Sequence, residues 1–284
     1  MQKTFGEIFE IEGIGLHSGL ASKMIFHPAE ADTGIVFVRA DLPDKPVLQA
    51  VYNQVVDTRN CTCLGNANQE IVSTIEHIMA TLSVLGVDNA RIEVTNPETP
   101  IMDGSAKVFY ERLKQVPLRE LPAKRKYLKV LRKVTFADGK GAQIALYPAE
   151  NFHIRFAIDF PSKIIGHQEF DAAINEEIFE RQIVPARTFC EKYQVDYLRS
   201  VGLIKGGSLE NAVVLDGEKI LNEGGFRVEN EAVSHKVLDC IGDMYTSGYP
   251  LLARVEAEKT GHFHNNEVLK VLFSDSDNYQ LVEE

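Results

Sequence analysis

The chain has 284 residues, enough for about two domains; with 44% apolar and 25% charged residues it can bury real cores and stay in water. Its net charge of −11 argues against nonspecific nucleic-acid binding, and no apolar run is long enough to span a membrane. The start "MQKTFGEIFEIEG" lacks a basic segment ahead of an apolar run, so no secretory signal is expected. Cys61, Cys63, Cys190 and Cys240 read as reduced thiols of a cytoplasmic protein, and C-x-C is not a zinc knuckle.

Taken in chain order, the elements occur twice. "KMIFHPAEADTGIVFVRAD" (23–41) reads as strand, P-A-E turn, strand, and "QIALYPAENFHIRFAIDF" (143–160) repeats it. "QVVDTRNC" (54–61) is echoed by "QIVPARTFC" (182–190), which pairs Arg59 with Arg187. "NQEIVSTIEHIMATLSVLGVDNARIEV" (68–94) is echoed by "ENEAVSHKVLDCIGDMYTSGYPLLARVEA" (229–257), each a polar entry, an amphipathic helix, a Gly turn and a strand. The expected fold is α+β: two related two-layer domains, 1–122 and 127–284, packed through their helices. The basic run "LPAKRKYLKVLRK" joins them as a linker with solvated charges. The second copy carries about thirty extra residues between Arg187 and His235, an insert over about 190–222.

The chemistry concentrates on the two helices. In "STIEHIMATL" (73–82), Ser73 and Thr74 are candidate caps, Ile75, Ile78, Met79 and Leu82 form the core face, and Glu76 and His77 stand out as polar. In "AVSHKVLDCIGDMY" (232–245), His235, Asp239 and Asp243 stack four residues apart, opposite Val237, Leu238, Ile241, Met244 and Tyr245. Two carboxylates on one stripe repel each other, so a nearby cation is expected. If the helices face each other, His77, His235 and Asp239 supply three metal ligands and leave a fourth position for water, the pattern of a catalytic zinc. Glu76 then lies beside a ligand, placed to take a proton. In "EKTGHFHNNEV", His262 reads as a loop residue that Asp243 can hold protonated, and so as a general acid.

These stretches, with "GIGLHSG", "IMDGSA", "ARTF" and "GGSLENAVV", resemble the UDP-3-O-acyl-N-acetylglucosamine deacetylases from about residue 2 to about 275. The resemblance implies a cytoplasmic zinc amidase for the committed step of lipid A synthesis in Gram-negative bacteria. It implies one Zn2+ per chain (Fe2+ is the alternative in the cell) on His77, His235 and Asp239. Glu76 falls on the family's general base, and the His262–Asp243 pair on its general acid. Thr188 falls on the oxyanion donor, Lys236 on a contact near the phosphates, Phe189 on an aromatic against substrate and His17 on the edge of the site. The partner is a UDP-sugar carrying an acyl chain, and the protein is expected to be a monomer.

The insert corresponds to the family's acyl passage. "KYQVDYLRSVGLIKGGSLENAVVLDG" reads as helix, Gly-Gly turn and strand. Val195, Leu198, Ile204, Ala212 and Val214 offer more apolar surface than one small layer can bury, and Gly206, Gly207, Ser208 and Ala212 leave room for a chain. Two other classes fit parts of the pattern. A non-haem iron oxygenase shares the two-His, one-carboxylate set but needs oxygen and a cosubstrate. A binding scaffold with a structural zinc needs a fourth protein ligand.

Overall fold

A computed structural model describes residues 1–283. The first unit runs β1 (Lys3–Phe5), β2 (Phe9–Ile14), β3 (Ala21–Pro28), β4 (Ile35–Arg39), β5 (Val47–Gln49), a small sheet of β6 (Val55–Asp57), β7 (Cys63–Gly65) and β8 (Ile71–Val72), then α1 (Glu76–Leu85), β9 (Ala90–Val94), α2 (Lys107–Lys114) and β10 (Leu118–Glu120). The second runs β11 (Lys126–Val130), β12 (Val134–Ala137), β13 (Gln143–Pro148), β14 (Phe152–Asp159), β15 (His167–Ala173), α3 (Glu176–Ile178), β16 (Phe189–Glu191), α4 (Lys192–Ser200), β17 (Val213–Asp216), β18 (Lys219–Ile220), α5 (Glu231–Tyr245), β19 (Leu251–Glu258), α6 (His262–Phe273) and β20 (Tyr279–Glu283).

The repeat is visible strand by strand. The first sheet has the order β2-β3-β9-β4-β5, with β3 antiparallel and β4 parallel to β9. In the second, β12-β13-β19-β14-β15 follow the same path with the same senses. Pro28 sits opposite Ala90 and Pro148 opposite Ala253, so the two P-A-E turns occupy one structural position. Alternation explains the strands: Ile144 and Leu146 of β13 are buried while Gln143 is exposed.

Each unit has its own core, and the two meet at α1 and α5. Ile78, Met79 and Leu82 of α1 pack into the first core with Phe26 and Phe37. Val237, Leu238, Ile241 and Met244 of α5 pack into the second with Phe156 and Val255. A Cβ on Gly242 would lie 2.0 Å from the Glu76 carbonyl oxygen, so only glycine lets the helices approach this closely. Tyr245 crosses the seam and donates to the Val87 carbonyl at 2.7 Å.

Four local expectations change. Helix α1 starts at Glu76 with no side-chain cap, because Ser73 donates to the Pro97 carbonyl and Thr74, at φ 61, to the Glu98 carboxylate. His262 opens a helix rather than lying in a loop, since Val268, Leu269 and Leu272 bury a helical face that outweighs two asparagines. Residues 126–130 of the basic run form strand β11, with Leu128 and Val130 fully buried; three charges of the run are paired, Arg125 with Asp88, Lys126 with Asp32 and Lys129 with Glu150, each at 2.7 Å. Arg59 and Arg187 are not equivalent: Arg59 is exposed beside Asp57, whereas Arg187 is buried against Glu231.

The segment from Phe189 to Ile220, where the sequence suggests an insert, is a parallel pair β16–β17 extended by β18, with α4 alongside. No residue of α4 is fully buried, and Val195 and Leu198 are half-buried. The insert also reaches the first unit: the Lys205 amide donates to the His17 carbonyl at 3.2 Å and the Gly206 amide to the Leu16 carbonyl at 3.0 Å.

Candidate active site

Helices α1 and α5 bring the polar residues together at the seam. Glu76, His77, His235, Asp239 and Asp243 are each 3% exposed. Nε2 of His235 and Nε2 of His77 lie 3.4 and 3.6 Å from the same Oδ1 of Asp239. One donor atom from each of the three residues falls within 4.8 Å of the other two. The imidazole rings stand nearly perpendicular, 5.0 Å between centroids.

This donor set fits a divalent cation. Burial pushes the His235 imidazole down to about 3, against the pull of Asp239, so it is neutral and its lone pair is free. Its Nδ1 lies 3.0 Å from the Ala186 carbonyl, which assigns the proton to Nδ1 and leaves Nε2 as the ligand atom. Burial alone would raise the Asp239 carboxyl, but His235 and Lys236 hold it well below the usual range. Lys236 Nζ sits on the other oxygen, Oδ2, at 2.7 Å.

A second polar chain lies alongside. Nδ1 of His262 is 2.8 Å from Asp243 Oδ2, which also accepts from Asn265 Nδ2 at 2.9 Å. Thr62 Oγ1 donates to Asp243 Oδ1 at 2.5 Å, and the Thr62 amide donates to Glu76 Oε2 at 3.0 Å. Burial works to lower the His262 imidazole, yet the charge and hydrogen bond of Asp243 push it up to about 9. Burial raises the Glu76 carboxyl, partly offset by His262 and His77. The site therefore holds a carboxylate fit to accept a proton beside an imidazolium fit to give one.

One cavity of about 840 Å³ connects this cluster to the insert. Its polar end carries Glu76, His77, His235, Lys236, Asp239 and His262, with Thr188, Phe189 and His17 at the sides. Its apolar end carries Val195, Ile204, Ser208, Ala212 and Val214. Asp243 stays outside the lining, behind His262, and Gly206 is absent from it as well. The Phe189 ring is 6.4 Å from His235 and 5.3 Å from Phe160. Both ring nitrogens of His17 lack a protein partner among the described residues, although its amide is held by Glu98 at 2.7 Å.

Sequence reasoning missed Thr62, Asn265, Lys259 and His264. Asn265 stands one turn beyond His262, a signal hidden by reading that segment as a loop. Thr62 had none, because its partners lie far along the chain. Lys259 and His264 line the cavity, and His264 Nε2 lies 3.4 Å from Asp138 Oδ2.

The family model of LpxC, UDP-3-O-acyl N-acetylglycosamine deacetylase, matches residues 2–274. The chain belongs to that family. It is 42% identical to the UDP-3-O-acyl-N-acetylglucosamine deacetylase of Syntrophotalea carbinolica over 99% of this chain and 91% of that protein. It is 44% identical to the enzyme of that name from Phenylobacterium zucineum, over 95% of this chain and 92% of that one. For Shewanella loihica the figures are 43%, 99% and 92%.

Proposed function

We propose that this chain is a zinc-dependent hydrolase that removes acetate from UDP-3-O-acyl-N-acetylglucosamine, the committed step of lipid A synthesis. The carrying observation is that the His77–His235–Asp239 set, a proton acceptor and a proton donor open into one cavity with an apolar arm. His77, His235 and Asp239 would hold a divalent cation, which would supply Lewis acidity and lower the pKa of water to about 7. Glu76 accepts the proton of the attacking water, held by the Thr62 amide. Thr188 donates to the oxyanion that develops on the acetamide carbonyl. His262, kept protonated by Asp243, delivers a proton to the departing amine. Lys236, Phe189 and His17 bind the sugar nucleotide, and the cavity arm between α4 and β17 takes the acyl chain.

We assign residues 1–122 and 127–284 as the two domains, with the insert at about 190–222. We place the enzyme in the cytoplasm as a monomer; among the described residues no helix is long and apolar enough to cross a membrane. The test is acetate release from the UDP-sugar with bound metal counted in the same sample. Glu76→Ala is expected to keep its metal and lose about 10²–10⁴-fold in turnover. Turnover near wild type would falsify the base assignment, and turnover without any metal would remove the zinc.

A further inference from the structure

The geometry points to the buried Arg187–Glu231 pair as the positioning device of the metal site, a role that rests on the metal reading above. Glu231 is 1% and Arg187 6% exposed. Glu231 Oε1 accepts from the Arg187 amide at 2.9 Å and from Arg187 Nε at 2.8 Å; Oε2 accepts from Arg187 Nη2 at 3.1 Å. The remaining Nη2 bond goes to the Gly225 carbonyl at 2.8 Å. This two-pronged, fully buried grip fixes a planar guanidinium in a way a lysine ammonium cannot copy.

The place of the grip gives it a task. Glu231 is the first residue of α5, one turn before His235. Arg187 stands between two residues of the site. The Ala186 carbonyl before it faces His235 Nδ1 at 3.0 Å, and Thr188 after it lines the cavity. Clamping Arg187 to the start of α5 therefore sets the distance from the Ala186 carbonyl to His235, and with it the direction of His235 Nε2. Thr188 is pinned from two further sides, its amide to the Gly104 carbonyl and its carbonyl by the Val213 amide, both at 2.8 Å.

The clamp also reaches the first unit. The Arg227 amide donates to Glu231 Oε2 at 2.6 Å, and Arg227 Nη1 to Asp103 Oδ2 at 2.6 Å. A chain of hydrogen bonds thus runs from Asp103 of "IMDGSA" through the side chain and amide of Arg227 to Glu231, then to Arg187 of "ARTF" and, through the neighbouring Ala186 carbonyl, to His235. Both motifs gain a reason to be polar that the reaction itself does not supply.

The test compares wild type, Arg187→Lys and Val130→Ala, the last a buried truncation in β11 outside the clamp. Metal affinity is read by chelator competition, with the melting temperature of the metal-free protein and kcat and KM alongside. Arg187→Lys is expected to weaken metal binding about 10–100-fold, and to lower kcat more than KM changes. Val130→Ala is expected to lower the melting temperature and leave metal affinity within about twofold. If Arg187→Lys does not fold, Arg227→Ala decides: it cuts the Asp103 link at a half-exposed side chain and is expected to weaken metal binding in the same direction. Unchanged affinity in the variant that decides, beside a wild type that binds metal, overturns the positioning role and spares the metal reading. A wild type that binds no divalent cation overturns both.

Discussion

Gly242→Ala tests the helix seam with a sign that propensity alone gets wrong. Alanine in a helix interior is favoured over glycine by about 1 kcal/mol, and α5 has ordinary helical backbone here. At this position the new methyl would meet the Glu76 oxygen at 2.0 Å, its carbonyl carbon at 2.7 Å and its Cα at 3.0 Å. Ordinary carbon contacts lie near 3.5–4.0 Å, so α1 has to retreat by roughly 1 Å or more. Forcing a methyl into a packed seam costs about 1–3 kcal/mol, which offsets or exceeds the propensity gain. For a chain of this size each kcal/mol moves Tm by about 2–4 °C, so the metal-free protein is expected to melt lower by up to several degrees. The site feels the shift more strongly. Glu76 and His77 ride on α1 while His235 and Asp239 stay on α5, and a misplacement of about 1 Å can cost about 10²-fold in rate. Calorimetry on the metal-free protein, chelator competition and acetate release measure the three effects. A variant that melts higher and binds metal as tightly as wild type refutes the close-contact argument.

His235→Ala is expected to lower both metal content and turnover, while chelation of the wild type leaves both units folded because each has its own core; circular dichroism after dialysis against chelator checks this. In the metal-free protein His262 is expected to titrate near 9 and to fall toward its ordinary value in Asp243→Asn, as read by NMR of the imidazole. Its folded pKa is raised, so its contribution to stability is complete below the unfolded value of about 6.5 and is lost as pH climbs through about 9. The gap in melting temperature between wild type and His262→Gln is expected to close over that window. Shortening the acyl chain is expected to lower kcat/KM about fourfold per buried methylene, at ~0.8 kcal/mol each. Ala212→Trp is expected to act most strongly against the longest chains, and equal efficiency for all lengths removes the passage.

What the sequence determined by itself was whatever repeats locally. The P-A-E turns, the period-two strands and the two amphipathic helices each carry their signal within about twenty residues, so two α/β units were legible. The i, i+4 spacing of His235 and Asp239 was legible for the same reason, since a helix converts sequence spacing into direction. The thirty-residue excess of the second copy could be counted from length alone, without any knowledge of its contacts. Tertiary structure decided the rest. Thr62 meets Asp243 and Glu76 only because β7 and α5 are folded against α1, and no local pattern encodes that meeting. Helix α6 forms because its apolar face is buried, which outweighs the glycine and asparagines that suggest a loop. Arg59 and Arg187 align in the sequence of the two copies, yet the fold leaves Arg59 exposed beside Asp57 and buries Arg187 against Glu231 at the start of α5. Composition could mark the residues of the basic run as charged; only the fold could pair Arg125, Lys126 and Lys129 with Asp88, Asp32 and Glu150. A side chain's identity is local, but its partner is chosen by packing at long range, and the chemistry of this site is made of partners.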